Sequence, residues 1–382
     1  MSIQMTMENL KKWYENWKDE KSVILFGFSH QLKNNIQILK EKYDIKLILD
    51  NNPAGLDETY QGIPIVKYSA DMEELYRHKI IICTHYEEIS AQLKCIGLME
   101  NINYCQIDKI ISAYNWFDLS EVYVNEVHIT VTTKCTLRCK CCNMLMPYYQ
   151  EADHIDMKEI KEDIDRIFSF ADKIGTLALL GGEPFLYPHL EHILEYIEEN
   201  YIDKIGVLEI ITNGTILPSE HLLSVIKKNK VFIRISDYTA EVNYRDKMKQ
   251  FIECMNLNNI PYVQNADLQW LDFGFPNGNV KISENRLAKH MLECAPAFKG
   301  LNDGKLYFCH LVWSAEKCGL YKPNSQDSLD LRNMDSTLLE DKMKVLLYVL
   351  GIMEGKCISL CRICAGCGSY NTNYVKAAEQ RG

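Results

Sequence analysis

The run Ile129-Thr130-Val131-Thr132-Thr133-Lys134-Cys135-Thr136-Leu137-Arg138-Cys139-Lys140-Cys141-Cys142 begins as a β-branched strand and opens into a loop carrying four thiols. Cys135, Cys139 and Cys142 are spaced so that three thiolates from one short loop can occupy three irons of a cubane and leave the fourth iron open. A zinc loop is the alternative, although zinc asks for a fourth ligand and usually for cysteines paired two residues apart. A second set follows far along the chain. Cys294 precedes nine residues, Gly304, four residues and Cys309, and later come Cys357, Cys361, Cys364 and Cys367. Two distant pairs brought together by folding suit a four-thiolate site, for iron-sulfur or for zinc. Gly304 fits a hairpin turn between the two ligand-bearing segments. Cys83, Cys95, Cys105 and Cys254 sit in apolar periodic segments and read as buried small hydrophobes.

The elements that must position these thiols alternate strand and helix. Strands are expected at about 126–133, 175–180, 206–211, 231–236 and 261–265, with helical stretches near 156–171, 188–200, 218–229 and 241–258 between them. Five such strands imply a parallel sheet curled into a complete or partial barrel, with active residues at the carboxyl ends of strands. Those ends carry Gly181-Gly182-Glu183-Pro184, Thr212-Asn213-Gly214 and Ser236-Asp237. Upstream, SVILFGF at 22–28, KLILD at 46–50 and KIIICTH at 79–85 form an earlier α/β series. Gly27 and Asp50 stand roughly where a dinucleotide fold puts its first glycine and its ribose-binding acid, but Gly27-Phe28-Ser29-His30-Gln31-Leu32 lacks the other two glycines. The expected organisation is a Rossmann-like α/β domain over 1–112, a linker over 113–125, a partial (β/α) barrel over 126–280 and a small cluster-binding domain over 281–382.

Cysteines spaced by three and then two residues at the end of the first barrel strand, followed by these strand-end elements in order, resemble the radical S-adenosylmethionine (SAM) superfamily. The resemblance implies that Cys135, Cys139 and Cys142 hold a [4Fe-4S] cluster whose open iron is chelated by SAM. One electron then cleaves SAM and releases a 5′-deoxyadenosyl radical. It also implies that Gly181, Gly182, Glu183 and Pro184 receive the methionine amino group, and that Thr212, Asn213, Gly214, Ser236 and Asp237 present polar groups to the ribose or carboxylate. The family usually keeps an aromatic just before the third ligand, where this chain has Cys141. The adenine contact then falls to another group such as Tyr148 or Tyr149, while Cys141 is a bystander thiol, an alternative ligand or a catalytic hydrogen-atom donor. The distal cysteines resemble a twitch domain, the shorter relative of the SPASM domain, which implies an auxiliary [4Fe-4S] cluster on Cys294, Cys309, Cys361 and Cys364.

Composition bounds what such chemistry could act on. A net charge of -10 argues against a polyanion gripped by bulk electrostatics, so nucleic acid is not an expected partner. No apolar run approaches the roughly 18 residues needed to span a bilayer, so no membrane partner is expected either. The first segment, MSIQMTMENLKKWYENWKDEK, lacks the pattern of a secretory signal, and the fifteen cysteines therefore point to cluster ligation in a cytoplasmic protein rather than to a disulfide framework. The expected partners are a small-molecule or glycan-type substrate and an electron donor such as flavodoxin or ferredoxin. The expected function is oxidation or epimerisation of a carbohydrate-like, possibly nucleotide-linked, substrate. Modification of a ribosomally made peptide and a non-catalytic iron-sulfur or zinc scaffold or redox sensor are the alternatives.

Overall fold

A computed structural model describes residues 3–84, 86–275, 280–294, 299–353, 357–368 and 370–381. It separates into two compact units, 1–125 and 126–382. The first unit is built on strands β1 (Ser22–Phe26), β2 (Asp44–Asp50), β3 (Thr59–Tyr60), β4 (Ile63–Lys67), β5 (Lys79–Ile82) and β6 (Tyr104–Gln106), in the sheet order β3-β4-β2-β1-β5-β6. All pairs are parallel except the short β3–β4 hairpin. Successive β1 residues serve opposite faces: Val23 and Leu25 pack with Trp17, Leu32, Ile36 and Ile110, whereas Ile24 and Phe26 pack with Leu75, Ile89 and Leu93. A sheet covered on both faces explains why its central strands read as unbroken apolar runs.

The order of the parallel strands reverses direction between β1 and β5, as in a doubly wound fold. Gly27 lies there with φ +102°, and a Cβ on it would stand 2.1 Å from Thr84 Cγ2, so a close approach to β5 requires the glycine. Asp50 is occupied locally: its carboxylate accepts from the backbone N–H groups of Phe28 and Asn52, each at 2.9 Å. The expected linker over 113–125 is instead structured. Residues Ile107–Tyr114 are α-helical, Asn115–Leu119 form a π-helical turn, and Asp118 accepts from Tyr14 at 2.8 Å and pairs with Lys42 at 2.7 Å. Its mixed apolar and polar residues lack a clear period because the helix changes pitch there.

The second unit contains β7 (Tyr123–Thr132, entering from the first unit), β8 (Lys173–Gly181), β9 (Ile205–Thr212), β10 (Phe232–Ser236) and β11 (Tyr262–Asn265). Helices Met157–Phe170, Leu190–Tyr201, Glu220–Lys228 and Arg245–Leu257 alternate with them. The strands lie in the order β11-β10-β9-β8-β7, and this partial barrel stays open. Curvature is visible in one ion pair. Arg234 on β10 reaches Glu126 on β7 at 3.7 Å, although three strand spacings on a flat sheet would hold those backbones roughly 14 Å apart.

The boundary expected at 280/281 is not a break. After β12 (Gln269–Leu271), the strands β13 (Gly300–Asn302), β14 (Lys305–Tyr307) and β15 (Ser328–Asp330) extend the same eight-stranded sheet beyond β7, while β16 (Tyr374–Lys376) pairs with β12. Asn302 fastens the join by accepting from Thr130 N at 3.2 Å and donating to Thr130 O at 3.0 Å. The expected turn at Gly304 is present, with Asp303 and Gly304 both at positive φ between antiparallel β13 and β14. Of the four scattered cysteines, Cys83 and Cys105 are buried and Cys254 is half-buried, but Cys95 is exposed at the end of its helix.

The hairpin is anchored by Asp163, whose Oδ1 accepts from Gly304 N at 2.6 Å while Oδ2 is buried with no partner. Burial, opposed by that N–H and reinforced by Asp303, pushes the carboxyl up to about 7. A folded-state value raised above an unfolded value near 3.8 contributes stability below about pH 4 that is lost as pH rises to about 7. Asp163→Asn keeps an acceptor for Gly304 without the charge. Thermal melts from pH 4 to 8 should show the variant gaining about 2 kcal/mol over the unaltered protein at the alkaline end and little at the acid end. Equal melting shifts at both ends would exclude this account.

Candidate functional site

The loop after β7 is held by the end of β8. Gly182 N donates to Thr132 O and Glu183 N to Lys134 O, both at 2.8 Å. A Cβ on Gly181 would stand 2.1 Å from Thr132 O, and one on Gly182 the same distance from Lys134 O. The two glycines therefore let one backbone lie directly on another, which seats the cysteine loop. Glu183 is fully buried and acts as a three-way acceptor. Its Oε1 takes Thr212 Oγ1 at 2.8 Å and Phe185 N at 3.1 Å, and its Oε2 takes Asn213 N at 2.8 Å. Burial holds this carboxyl up at about 7 in spite of those donors. Pro184 opens the 3-10 turn that Glu183 caps.

Cys135, Cys139 and Cys142 pack together with Leu137, Tyr238, Val242, Trp270 and Ala378. N–H groups point at their sulfurs: Leu137 N at 3.4 Å and Asn213 Nδ2 at 3.7 Å from Cys135, and Gln380 Nε2 at 3.4 Å from Cys139. Burial and mutual repulsion push the Cys135 thiol up to about 12 and that of Cys139 to about 11. Thiols that resist ionisation together are relieved by a cationic centre, so this donor set fits an iron-sulfur cluster. Cys141 lies outside that packing, half-buried, its thiol raised by burial and by nearby Asp272 and Glu379.

The expected SAM-binding strand ends divide in role. Thr212 Oγ1 donates to Glu183 and accepts from Gly214 N at 3.0 Å, while Gly214 turns at φ +69° against Met248. Asn213 spans the site, accepting from Thr215 N at 3.0 Å and donating to Thr136 Oγ1 at 3.2 Å and to Cys135. Asp237 is buried and accepts from Thr239 N at 2.8 Å and Gln264 Nε2 at 2.6 Å. Ser236 is half-buried at the end of β10. Of the two tyrosines expected near adenine, Tyr149 is half-buried beside Trp313 in a cluster that also takes in Cys135 and Cys142, and Tyr148 lies under Arg381. Aromatic surface at the triad comes from Tyr238 and Trp270, stacked edge to face at 5.2 Å.

The distal thiols gather in the second unit. Cys294, Cys309, Cys361 and Cys364 influence one another electrostatically, and burial raises the last three. Cys367, outside the expected set of four ligands, joins them with its Sγ 3.2 Å from Cys294 Sγ. Gly366, at φ +66°, donates its N–H to Cys364 Sγ at 3.4 Å and turns the chain toward Cys367. Cys318 lies elsewhere, its Sγ 3.8 Å from Leu145 O on the triad loop. Residues 295–298, within the run after Cys294, lie outside the described residues. Among the described residues no three Cys, His, Asp or Glu close to single-ion spacing, so the fit to a cluster rests on the donor set. Also unforeseen was a charged set facing the barrel interior: Glu209 receives Arg234 Nε at 3.0 Å, and His128 bonds Glu126.

Replacing Glu183 by Ala would strand three buried donors at once. The expected loss is about 2–4 kcal/mol, with poor cluster retention at the triad, whereas Glu183→Gln keeps one acceptor and loses less than half as much. Melting curves and iron content of the two variants decide; equal losses would show that the acceptor geometry is immaterial.

Residues 129–255 match the family model described as the radical SAM superfamily. The chain is 30% identical over 107 residues to the antilisterial bacteriocin subtilosin biosynthesis protein AlbA of Bacillus subtilis (strain 168), covering 28% of this chain and 22% of that protein. It is 29% identical over 101 residues to a GTP 3′,8-cyclase of Syntrophomonas wolfei, covering 26% and 30% respectively. It thus spans under a third of the length of either relative. A crystal structure of BtrN in complex with AdoMet and 2-DOIA is similar at 16% identity and a TM-score of 0.42, over 63% of this chain and 92% of that one. The radical SAM match thus rests on residues 129–255, about a third of the chain, which include the Cys135, Cys139 and Cys142 loop and the strand ends at 181–184, 212–214 and 236–237.

Proposed function

We propose that this protein uses a 5′-deoxyadenosyl radical to abstract hydrogen from a small, polyhydroxylated, carbohydrate-like substrate, leading to oxidation or epimerisation. The observation that carries this reading is the polarity of the concave face. Glu126, His128, Thr130 and Thr132 alternate along β7 with buried Val127, Ile129 and Val131, and Glu209 and Arg234 join them from β9 and β10. A lining of carboxylates, guanidinium and hydroxyls matches hydroxyl-rich ligands. Within the reading, Cys135, Cys139 and Cys142 hold the SAM-binding cluster, with Gly181, Gly182, Glu183, Pro184, Thr212, Asn213, Gly214, Ser236 and Asp237 framing SAM. Cys294, Cys309, Cys361 and Cys364 hold an auxiliary cluster, with Cys367 beside Cys294 as a fifth thiol.

When bound, the first cluster supplies the electron that cleaves SAM, delivered by a donor such as flavodoxin or ferredoxin. Oxidation of an alcohol carbon to a ketone then requires the substrate radical to lose one electron and one proton, and an auxiliary cluster held by Cys294, Cys309, Cys361 and Cys364 would supply an acceptor for that electron. Epimerisation instead requires a thiol to return a hydrogen atom, for which Cys141 and Cys318 are the candidates. Peptide modification is the second reading, favoured by the similarity to AlbA.

Anaerobically reconstituted protein should hold roughly eight irons, with about four remaining once Cys135, Cys139 and Cys142 are replaced by Ala. Reduction with SAM should release 5′-deoxyadenosine from the unaltered chain only. Zinc at the distal thiols would overturn the auxiliary cluster, and no 5′-deoxyadenosine under strong reduction would favour a non-catalytic scaffold. Stimulation of SAM cleavage by a precursor peptide, and not by sugars or aminocyclitols, would favour the second reading.

A further inference from the structure

The triad loop is covered by a segment from the far end of the sequence. Beyond β16, Ala378 is fully buried at φ +55° and packs on Leu137 and Cys139. Lys140 N then donates to Glu379 O, and Arg381 N to Arg138 O, both at 2.7 Å, so residues 379–381 run antiparallel beside the loop. Charged contacts brace both edges. Lys140 pairs with Glu379 at 2.5 Å, and Arg381 lies over the Tyr148 ring and reaches Pro147 O at 3.3 Å.

Gln380 sits at the centre of this strap with both ends of its amide engaged. Oε1 accepts from Arg138 N at 2.7 Å, while Nε2 donates to Ala378 O at 2.7 Å and to Cys139 Sγ at 3.4 Å. Locking the oxygen fixes where the N–H groups point. We propose that Gln380 is a positioning residue of the SAM-binding cluster: it holds the Leu137–Arg138 peptide and gives the Cys139 thiolate an N–H···S hydrogen bond that raises the cluster's reduction potential. This rests on the reading of the triad as cluster ligands. Reduction adds negative charge to the cluster and its sulfurs, so a donor aimed at a ligand sulfur stabilises the reduced form more than the oxidised form.

Gln380→Met preserves length and neutrality but removes the donor, and Gln380→Glu keeps an acceptor for Arg138 while placing a carboxylate at the sulfur. The readout is an EPR-monitored reductive titration of anaerobically reconstituted full-length protein, following the signal that changes on adding SAM. Both variants should need a potential lower by about 59 mV, a tenfold change in a one-electron equilibrium, with the greater shift for Gln380→Glu and no shift in the SAM-insensitive signal. Glu379→Gln removes the ion pair with Lys140 yet leaves the Gln380 amide in place, and should leave the midpoint unchanged. An unmoved midpoint in Gln380→Met with iron content intact overturns the proposal, as does an equal shift in Glu379→Gln. If Gln380→Glu loses iron, the Met variant decides alone. Failure of the unaltered chain to give any SAM-sensitive signal would instead remove the cluster reading beneath it.

Discussion

Everything at the site depends on the end of β8 lying against the turn out of β7 with no side chain between them. Gly181 and Gly182 touch the carbonyl oxygens of Thr132 and Lys134 so closely that a single methyl group on either would separate the two strand ends. From that contact the other placements follow. Glu183 comes next in the chain and is driven inward, where it gathers donors from β9 and from its own turn. Asn213 is thereby aimed at Cys135. Three strand ends and the thiol loop thus form one hydrogen-bonded layer, in which a buried carboxyl group has donors on both of its oxygens.

This arrangement gives the glycine-rich turn a task beside the one expected of it. Its N–H groups at Gly182 and Glu183 are already spent on the thiol loop. The turn is therefore also a mount for the cysteines. Thr212 and Asp237 are likewise committed to neighbouring backbone or amide groups, whereas Ser236 remains half-buried at its strand end. Polar residues at strand ends serve two tasks, and only hydrogen-bond partners distinguish them.

Much of this was legible from residue order alone. Alternating β-branched and helical periods located β7 to β11 and their helices because each element repeats its pattern several times, and the triad spacing carried its chemistry within eight residues. The join at Asn302 was not legible, since a three-residue strand has no period and its partner Thr130 lies 172 residues away. Nor was Cys367: Cys361-x-x-Cys364-x-x-Cys367 contains two overlapping pairs, and spacing cannot rank them. Glu126, Glu209 and Arg234 were hidden for a related reason, because a curled sheet brings together residues from strands that a linear reading keeps apart.

The strap over Cys139 also sets an order of events during synthesis. The thiol loop and its strand are complete by residue 142, but the side chain that covers the middle sulfur lies 241 residues beyond Cys139. Closing so long a loop is an entropic cost that local contacts cannot meet in advance. Until residues 378–380 have been made, the three sulfurs are therefore open on the side that Gln380 and Ala378 finally occupy. Iron and sulfide delivered early meet an uncovered nest, and those delivered late must wait for the cover to lift.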